Sequence, residues 1–314
     1  MFDGNHNQLN AFEKGCAIVR WVKPTIIKMV GGDALDLLHR LTTKELLTVT
    51  PGTARRTVLT SNRGRVIDVF LVAHASENTL LLISDSKDPT RTISAIDYFT
   101  IAEDSELKDL SESYARISLI GPKTREVVAS VLGINIDSGK VLNMDYHGSE
   151  VTFSSDTSRG VNWVDVVIDS PEVGLVSELL SAGAVETNSD NFELFRILHE
   201  IPGWDCEYGD HANPIEAGLY SLIDFDKGFY VGQEVIARLD TYDKVQRSVK
   251  VLESKSPLAK GAKLTSGSKL AGIVTSPSSL ASLDGRYLSL ALVRKSFCKT
   301  ASVVDSQGIS AVVR

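Results

Sequence analysis

The sequence predicts an α+β protein whose mixed helix-and-strand region is followed by a segment poor in helix. Up to about residue 245, runs rich in apolar and β-branched residues alternate with amphipathic helical patterns, which is typical of α+β layers. From about residue 246 the runs are short, and Gly, Ser and Pro separate them. Five or six short strands without a helix indicate a small β-barrel or sandwich.

A helix and a hairpin are predicted near the start of the chain. Asp33 precedes an apolar stripe formed by Ala34, Leu37, Leu38 and Leu41, so we expect its side chain to cap the free N–H groups of a helix N-terminus. Further on, two β-rich runs flank the sequence Ser-Asn-Arg-Gly at residues 61–64. Asn and Gly tolerate the positive φ of a tight turn, which predicts a hairpin. "TLLLISD" is expected to continue that sheet.

The middle of the chain contains two similar segments, each predicted to run from a strand through a Pro-containing turn into a helix. They are "ARISLIGPKTREVVASVLG" and "WVDVVIDSPEVGLVSELLSAG". Pro suits the first turn of a helix and Gly suits its end, so both helices have clear boundaries. "NFELFRILHEI" predicts another amphipathic helix, which ends near Pro202.

Composition argues against several classes of protein. The net charge of −7 does not suit a protein that binds nucleic acid through phosphates, and the local basic cluster at residues 238–250 is diluted by Asp240 and Asp243. No apolar run approaches the roughly 20 residues that span a bilayer, and the N-terminus lacks the pattern of a secretory signal. Three widely spaced cysteines fit a reducing compartment. We therefore expect a cytoplasmic protein without a membrane or nucleic-acid partner.

Several familiar motifs are absent from the sequence. There is no G-x-G-x-x-G after a strand, no G-x-S-x-G and no H-E-x-x-H. "GINIDSGK" has one residue too many between its glycines for a P-loop, so we expect a loop. "WDCEYGDH", residues 204–211, invites a metal interpretation, but its spacing matches no zinc or calcium loop. A polar loop is the favoured interpretation there.

A dense group of polar and aromatic side chains lies in "NPIEAGL" and "DKGFYVGQEVIARL". Such a set suits a flat, polar heterocycle with an acidic tail. Rings stack on the heterocycle, carboxylates and amides pair with its donors and acceptors, and Lys or Arg meets the tail. The alternative is that the acids favour a helix N-terminus and the rings belong to a core. The candidate binding residues are Asn213, Glu216, Lys227, Tyr230, Gln233, Glu234 and Arg238.

These two stretches resemble the folate-binding family of the glycine-cleavage T-protein (aminomethyltransferase, GcvT) and YgfZ. The YgfZ branch carries K-G-C-Y-x-G-Q-E, which residues 227–234 match except at Phe229. "GGDALDLLHRLTTKEL", "SNRGRVIDVFLV" and "AGIVTSPSSLASLDGRYLSLALVRK" are similar to further family segments in the same order. The resemblance implies tetrahydrofolate as the cofactor and a three-domain cloverleaf, with two interleaved α/β domains and a C-terminal β-barrel.

The domain boundaries follow from that resemblance. Residues 1–245 correspond to the aminomethyltransferase-like, folate-binding region, and residues 246–314 to the barrel. Within the first region, about residues 1–28 together with 112–245 are expected to form one subdomain, and residues 29–111 the other.

The chain departs from the family at several functional positions. The T-protein hairpin carries two adjacent acids, of which the second is credited with catalysis, whereas here Asp68 is followed by Val69. Asp68 is the remaining catalytic candidate, with a structural carboxylate as the alternative. Asp165 lies near the place of the pterin-binding glutamate but is expected to be out of register. Phe229 replaces the YgfZ cysteine, which removes thiol chemistry there. Lys227 is expected to bind folate as a fixed charge, or else to be a turn residue.

Three hypotheses about function follow. The first, which the YgfZ resemblance favours, is a tetrahydrofolate-binding protein that supports the maintenance of iron–sulfur proteins, with those client proteins as partners. The second is a folate-dependent aminomethyl- or methyltransferase. The third is an interaction module that has lost folate. Val69 removes the acid that transfer chemistry needs, so the sequence leaves open whether the protein is an enzyme.

Overall fold

The structure is a computed structural model that describes residues 2–169, 174–282, 284–299, 302–305 and 307–314. Part of the second predicted Pro-containing turn, residues 170–173, lies outside the described residues. The α-helices of the described residues are α1 (Phe2–Lys14), α2 (Ala34–Leu41), α3 (Pro89–Asp97), α4 (Thr124–Leu132), α5 (Leu175–Ser181), α6 (Ser189–Leu198) and α7 (Gln233–Thr241).

The strands of the described residues fall into two groups along the chain. The first group is β1 (Ala17–Arg20), β2 (Thr25–Val30), β3 (Ala54–Thr60), β4 (Val66–Ser76), β5 (Thr79–Ser84), β6 (Glu106–Asp109), β7 (Ala115–Ile120), β8 (Val141–Tyr146), β9 (Ser149–Asp156), β10 (Trp163–Ile168) and β11 (Val185–Glu186). The second group is β12 (Arg247–Ser254), β13 (Lys263–Ser266), β14 (Lys269–Ala281), β15 (Tyr287–Arg294), β16 (Val303–Val304) and β17 (Ser310–Val313).

The chain divides by its contacts into two compact units. The first consists of Met1–Thr60, Ile67–Thr187 and Ser221–Val231, and the second of Ser61–Val66, Asn188–Tyr220 and Gly232–Arg314. Residues 188–220 and 232–245 thus cluster with the C-terminal strands, whereas the sequence-based division places them in the region before residue 246. The sequence-based boundaries stay a prediction.

The first unit contains two sheets. The six-stranded sheet has the order β11-β1-β7-β10-β9-β8, and the five-stranded sheet has the order β3-β4-β5-β2-β6. The apolar faces of α4 and α5 pack on the six-stranded sheet around Phe153 and Leu179. α2 and α3 cover the five-stranded sheet around Phe70 and Ile96. The strand and the helix of each predicted strand-to-helix segment are therefore present, and so is the predicted hairpin.

The start of α2 corrects one prediction. Asp33 does not cap the helix with its side chain, and its backbone is helical, with φ −97° and ψ −1°. Capping side chains usually extend from a β-region backbone, from which they can fold back over the first turn. The Asp33 carboxylate instead accepts a hydrogen bond of 2.8 Å from the backbone N–H of Asp104. It ties the helix start to a distant loop.

The second unit is built on a closed barrel with the strand order β12-β15-β14-β13-β16-β17. Its interior is filled by small and branched side chains such as Leu252, Leu264, Val274 and Val293. The barrel alternative for the C-terminal segment is therefore confirmed over the sandwich. α6, the helix predicted in "NFELFRILHEI", precedes the barrel in the chain, and α7 lies between the two. None of the helices in the described part of the chain has the length and apolar character required to cross a membrane.

Candidate functional site

Lys227 lies in the turn that the K-G-x-Y-x-G-Q-E stretch forms, and its side chain is buried within the first unit. Its ammonium nitrogen donates hydrogen bonds to the carbonyls of His39 at 2.6 Å, Thr42 at 2.7 Å and Lys44 at 2.8 Å. The carbonyls in the last turn of a helix lack partners within the helix, and the dipole favours a cation there. Lys227 therefore closes the C-terminal end of α2.

These contacts bear on the role predicted for Lys227. An ammonium group has three N–H donors, and all three are donated to backbone carbonyls. Burial lowers the pKa of Lys227 to about 8, although Glu45 and Asp224 favour its charge. In this geometry no N–H is left for a ligand, so the direct contact with folate has no support from the hydrogen bonds. The contacts favour a structural role in the turn.

The two aromatic residues after Lys227 face opposite environments. Phe229 is 93% exposed. Tyr230 is buried, and its ring centre lies 5.3 Å from the ammonium nitrogen of Lys227. Burial, with a smaller contribution from Asp224, raises the pKa of Tyr230 to about 12. Its hydroxyl has no hydrogen-bond partner among the described residues, so Tyr230 retains a donor while Phe229 presents a bare ring.

Asp68 is fully buried in β4. It accepts hydrogen bonds from the hydroxyls of Ser84 and Thr92, both at 2.6 Å, and from the backbone N–H of Val69 at 2.7 Å. Burial raises the pKa of Asp68 to about 6, although these hydrogen bonds act to lower it. The contacts are those of a structural carboxylate that links β4 to β5 and α3. Val69, at the family's catalytic position, is buried as well.

A larger polar group lies in the first unit, and we call it the ion cluster. Arg116 donates to Asp165 at 2.7 Å and to Asp85 at 2.9 Å. Arg159 contacts the second oxygen of Asp85 at 2.5 Å. Burial opposes the charge of Asp85, but the guanidiniums outweigh it and lower its pKa to about 2. The members of the cluster are Arg56, Asp85, Arg116, Asp156, Arg159 and Asp165.

The ion cluster joins the two sheets of the first unit. Arg56 projects from β3 of the five-stranded sheet and donates to Asp156, at the end of β9 of the six-stranded sheet, at 2.7 Å. Two indole rings pack on it as well: the guanidinium carbon of Arg116 lies 4.1 Å from the ring centre of Trp21, and that of Arg159 lies 3.9 Å from that of Trp163. Planar guanidiniums stack well on such rings.

Four buried polar atoms of the ion cluster have no hydrogen-bond partner among the described residues. They are Nη1 and Nη2 of Arg56, Nη1 of Arg159 and Oδ2 of Asp165. Nη2 of Arg56 and Oδ2 of Asp165 are 3.7 Å apart, which is too far for a hydrogen bond. Buried groups of this kind normally have partners. The cluster therefore offers donors and an acceptor side by side, and Asp85 and Arg159 at its edge are slightly exposed.

Sequence reasoning missed most of this cluster. Of its members, the sequence analysis names only Asp165, which it places near the position of the family's pterin-binding glutamate but out of register with it. The signal that was available is a charged residue within an otherwise apolar strand, as at Arg116 in "ARISLI" and Asp165 in "WVDVVI". Charged side chains are rarely buried unless they are paired, so such positions predict buried ion pairs without naming the partners.

The second unit contains the other predicted binding residues. The buried carboxylate of Glu216 accepts from Arg247 at 3.0 Å, and Arg65 at the hairpin tip lies 3.6 Å from the same oxygen. The Asn213 side-chain oxygen accepts from the backbone N–H groups of Ile215 and Glu216 at 3.0 and 2.9 Å. Asn213 therefore holds the turn that presents Glu216 to two guanidiniums.

Gln233, Glu234 and Arg238 belong to α7. Gln233 is half-buried, whereas Glu234 and Arg238 are exposed. Glu234 lies in the first turn of the helix, where the positive end of the helix dipole stabilises a carboxylate. Its position is thus compatible with the purely structural alternative. The assignment of these residues, and of Asn213 and Glu216, to ligand binding stays a prediction.

The loop "WDCEYGDH" shows a structural use of its central acid. Glu207 is fully buried and accepts from Arg196 and the backbone of Gly203, both at 2.8 Å, and from Ser276 at 2.6 Å. Within the described ranges, no three His, Cys, Asp or Glu side chains are grouped as they would be to hold a metal ion.

Comparison with known proteins identifies the family. The family model described as the GCVT N-terminal domain matches residues 1–157, half of the chain. The chain belongs to the GCVT family. An Arabidopsis thaliana protein named "Putative transferase At1g60990, chloroplastic" is 28% identical, over 99% of this chain and 73% of the relative. The aminomethyltransferase of Deinococcus deserti is 23% identical, over 85% of this chain and 74% of its own.

A solved structure supports the same fold. The chain is similar to the crystal structure of the glycine cleavage system aminomethyltransferase T from Bartonella henselae, with a TM-score of 0.84 and 14% identity. The match covers 99% of this chain and 88% of the other. The predicted GcvT-like fold, with mixed α/β elements and a C-terminal barrel, is therefore confirmed. Membership of the YgfZ branch within the GCVT family stays a prediction.

Proposed function

We propose that this GCVT-family protein binds tetrahydrofolate and does not catalyse aminomethyl transfer. The observation that carries the folate part is the set of unpartnered buried atoms in the ion cluster, namely the guanidinium N–H groups of Arg56 and Arg159 and the carboxylate oxygen of Asp165. A ligand that meets them needs an acceptor and a donor on one edge.

The pterin ring of a folate has such an edge, because its ring oxygen accepts hydrogen bonds and the neighbouring N–H and amino groups donate them. Guanidinium N–H groups suit the oxygen, and a carboxylate suits the N–H groups. The chemistry of the donor set therefore fits the group. Arg56, Arg159 and Asp165 would hold the pterin edge. When bound, tetrahydrofolate supplies a ring nitrogen that carries one-carbon groups.

The second part of the proposal concerns catalysis. A general acid or base must reach the transferred group in the transition state. Val69 has no proton to exchange, and Asp68 is fully buried with its oxygens engaged by Ser84, Thr92 and its own neighbour. The hairpin therefore supplies no acid for aminomethyl transfer.

The cellular role that we propose is support of iron–sulfur proteins, and the cellular location that we propose is the cytoplasm. Residues 227–234 agree with the YgfZ pattern K-G-C-Y-x-G-Q-E at every fixed position except Phe229, and this agreement supports that role. Deleting the gene should lower the activity of iron–sulfur enzymes, and the native chain should restore it. Normal activity in the deletion strain would remove this role and leave folate binding untouched.

Calorimetric titration with tetrahydrofolate and an aminomethyl-transfer assay with an aminomethylated lipoyl protein test the proposal together. We expect binding of tetrahydrofolate, no binding of p-aminobenzoylglutamate, which lacks the pterin, and no turnover. Absence of tetrahydrofolate binding would refute the first part of the proposal, and turnover would refute the second.

A second candidate is a folate-dependent transferase that uses another donor. The name of the Arabidopsis relative, which aligns over 99% of this chain, favours it. Incubating the protein with 5-methyl- or 5,10-methylene-tetrahydrofolate and candidate acceptors would reveal it, since loss of the one-carbon group from the folate is measurable without knowing the product. The same relative is named as chloroplastic, which does not favour the cytoplasmic location.

A further inference from the structure

A cysteine and a lysine meet within the second unit. Nζ of Lys260 donates a hydrogen bond of 3.2 Å to Sγ of Cys206, although the two residues are 54 positions apart in the sequence. Cys206 belongs to the loop "WDCEYGDH", and Lys260 lies in the turn before β13. Cys206 is half-buried and Lys260 is exposed, so a small molecule in the solvent can reach both side chains.

The backbone beside each member of the pair is anchored in the second unit. Next to Cys206, the fully buried carboxylate of Glu207 accepts hydrogen bonds from three donors of the same unit. Next to Lys260, the backbone N–H of Gly261 donates at 2.8 Å to the carbonyl of Val274 in β14. The sulfur and the nitrogen therefore face each other from two fixed points of the fold, and rotation of the side chains is enough to close the distance between them.

The charges around the pair include a cation next to the sulfur. The thiolate form of a cysteine is the nucleophile, and reactive cysteines lie beside cations and are partly exposed. Lys260 supplies such a cation to Cys206. The carboxylate of Glu207 has the opposite charge, but it is paired with Arg196 at 2.8 Å. Asp205, the other acid beside the pair, is exposed, so solvent and salt screen its charge.

Among the described residues, the other two cysteines have different partners. Cys16 is buried and its sulfur accepts a hydrogen bond from the hydroxyl of Thr124, and burial raises the pKa of its thiol to about 11. Cys298 is half-buried like Cys206, but its thiol donates to two backbone carbonyls at the end of β15. Cys206 therefore differs from both in combining an accessible sulfur with an adjacent amine.

We propose that Cys206 and Lys260 form a reversible covalent cross-link when the protein reacts with hydrogen peroxide. The Cys206 sulfur attacks one oxygen of the peroxide, the O–O bond breaks, and a sulfenic acid forms with release of one water. The neutral amine of Lys260 then attacks the same sulfur. An S–N bond forms, the S–O bond breaks, and the leaving hydroxide takes a proton from the amine to give a second water. The protein loses two hydrogen atoms, and the product is a sulfenamide.

Oxidation of the sulfur also prepares the amine for its attack. The hydrogen bond to Cys206 is the largest of the causes that raise the pKa of Lys260. A sulfenic acid carries no negative charge, so its formation weakens that cause and lets Lys260 lose its proton more readily. A thiol reverses the cross-link by attacking the sulfur, which releases the amine and leaves a mixed disulfide, and a second thiol restores Cys206. The cross-link thus protects the sulfur from irreversible oxidation.

The test treats the full chain with hydrogen peroxide, digests it without reductant and maps the peptides by mass spectrometry. We expect the peptides that contain Cys206 and Lys260 to be joined, with a mass two hydrogen atoms below their sum, and to separate on addition of dithiothreitol. Lys260→Arg keeps a cation beside the sulfur but has no nucleophilic amine. It should give no joined peptides and should accumulate the sulfenic acid, which dimedone traps. Cys298→Ser removes the other half-buried thiol and should form the cross-link as the native chain does.

Urea unfolding gives a second measurement. Because a cross-link between distant residues restricts the unfolded chain, the peroxide-treated native chain should unfold at a higher urea concentration than the untreated chain, and dithiothreitol should remove the shift. Lys260→Arg should show no shift. Equal dimedone labelling of Cys206 in the native chain and in Lys260→Arg, without joined peptides, would overturn the proposal, as would oxidation of Cys206 no faster than that of Cys298. None of these measurements uses a folate, so their outcome is independent of the proposed function.

Discussion

The ammonium nitrogen of Lys227 lies 2.6 Å from the carbonyl oxygen of His39, although the two residues are far apart in the sequence. The same nitrogen reaches the carbonyls of Thr42 and Lys44. Lys227 thus fixes the end of α2 against the turn that carries the K-G-x-Y-x-G-Q-E stretch. The lysine of this motif binds backbone carbonyls, so it would affect a ligand only indirectly, by fixing the shape of the turn.

Lys227→Met keeps the length of the side chain and removes the charge, so it should leave three carbonyls without a donor. Since unsatisfied buried groups cost about 1–3 kcal/mol each and are not additive, we expect a loss of about 2–4 kcal/mol in the free energy of unfolding. Urea denaturation measures it. Lys108→Met, on an exposed position of β6, should stay within about 0.5 kcal/mol of the native chain. Equal stability of the two variants would contradict the role given to Lys227.

The pair Arg116–Asp165 should be strongly coupled, because both side chains are fully buried. Removing one partner of a buried ion pair leaves an uncompensated charge and costs about 3–5 kcal/mol. We expect Arg116→Met and Asp165→Asn each to destabilise the chain by that amount. The double variant should lose less than the sum, by about 1–3 kcal/mol. A double-mutant cycle from urea unfolding checks this, and strict additivity would show that the pair is not coupled.

Gly232 should be far less tolerant of substitution than Gly133, although both have positive φ, 83° and 70°. A Cβ on Gly232 would lie 2.4 Å from the carbonyl oxygen of Ser61, whereas one on Gly133 would meet nothing within 4 Å. Gly133→Ala should therefore lower the free energy of unfolding by about 1–2 kcal/mol, because alanine is strained at a positive φ. Gly232→Ala should cost about 1–3 kcal/mol more because of the clash. Thermal unfolding of the two variants compares them, and similar losses would contradict the close approach.

Asp68 should make stability depend on pH in a direction unusual for a carboxylate. Its pKa of about 6 in the folded chain exceeds the value of about 3.9 expected on unfolding. Its contribution is therefore complete below pH about 4 and is lost as the pH rises to about 6, by an amount on the order of 3 kcal/mol.

Asp68→Asn isolates this effect because asparagine does not titrate. The stability of the native chain relative to the variant should fall between pH 4 and 6 and be constant above that. Urea unfolding at intervals across this range measures the difference. A difference that does not change with pH would mean that Asp68 is ionised throughout, and that the hydrogen bonds from Ser84 and Thr92 outweigh its burial.

Local signals account for the parts of the fold that the sequence predicts. The turn at residues 61–64 contains Asn and Gly, the helix after Gly232 begins where that glycine takes a positive φ, and α4 ends at Gly133 in the same way. The frequent Gly, Ser and Pro after residue 246 predict the short strands of the barrel. Each of these features depends on residues close together in the chain.

The parts that the sequence does not predict depend on distant residues. Arg116 meets Asp165 across neighbouring strands and Asp85 at the end of another sheet, and no local pattern names such partners. Asp33 has the residue type and the position of a helix cap, but its carboxylate accepts a hydrogen bond from the backbone N–H of Asp104 instead. The sequence predicts Lys227 as a folate-binding charge or a turn residue, and only the fold places the carbonyls of His39, Thr42 and Lys44 beside it. Charge and motif predict that a residue matters, and the fold decides what it contacts.

One titration tests the central claim directly: the affinity of the native chain for tetrahydrofolate, compared with that for its 2-desamino-2-methyl analogue. The analogue keeps the shape of the ring but lacks the amino group that would donate to the unpartnered oxygen of Asp165. A site built to pair with a polar group rejects a ligand that lacks it. We predict that tetrahydrofolate binds and that the analogue binds at least about tenfold more weakly. Equal affinities, or no binding of either ligand, would contradict the assignment of the ion cluster as the pterin site.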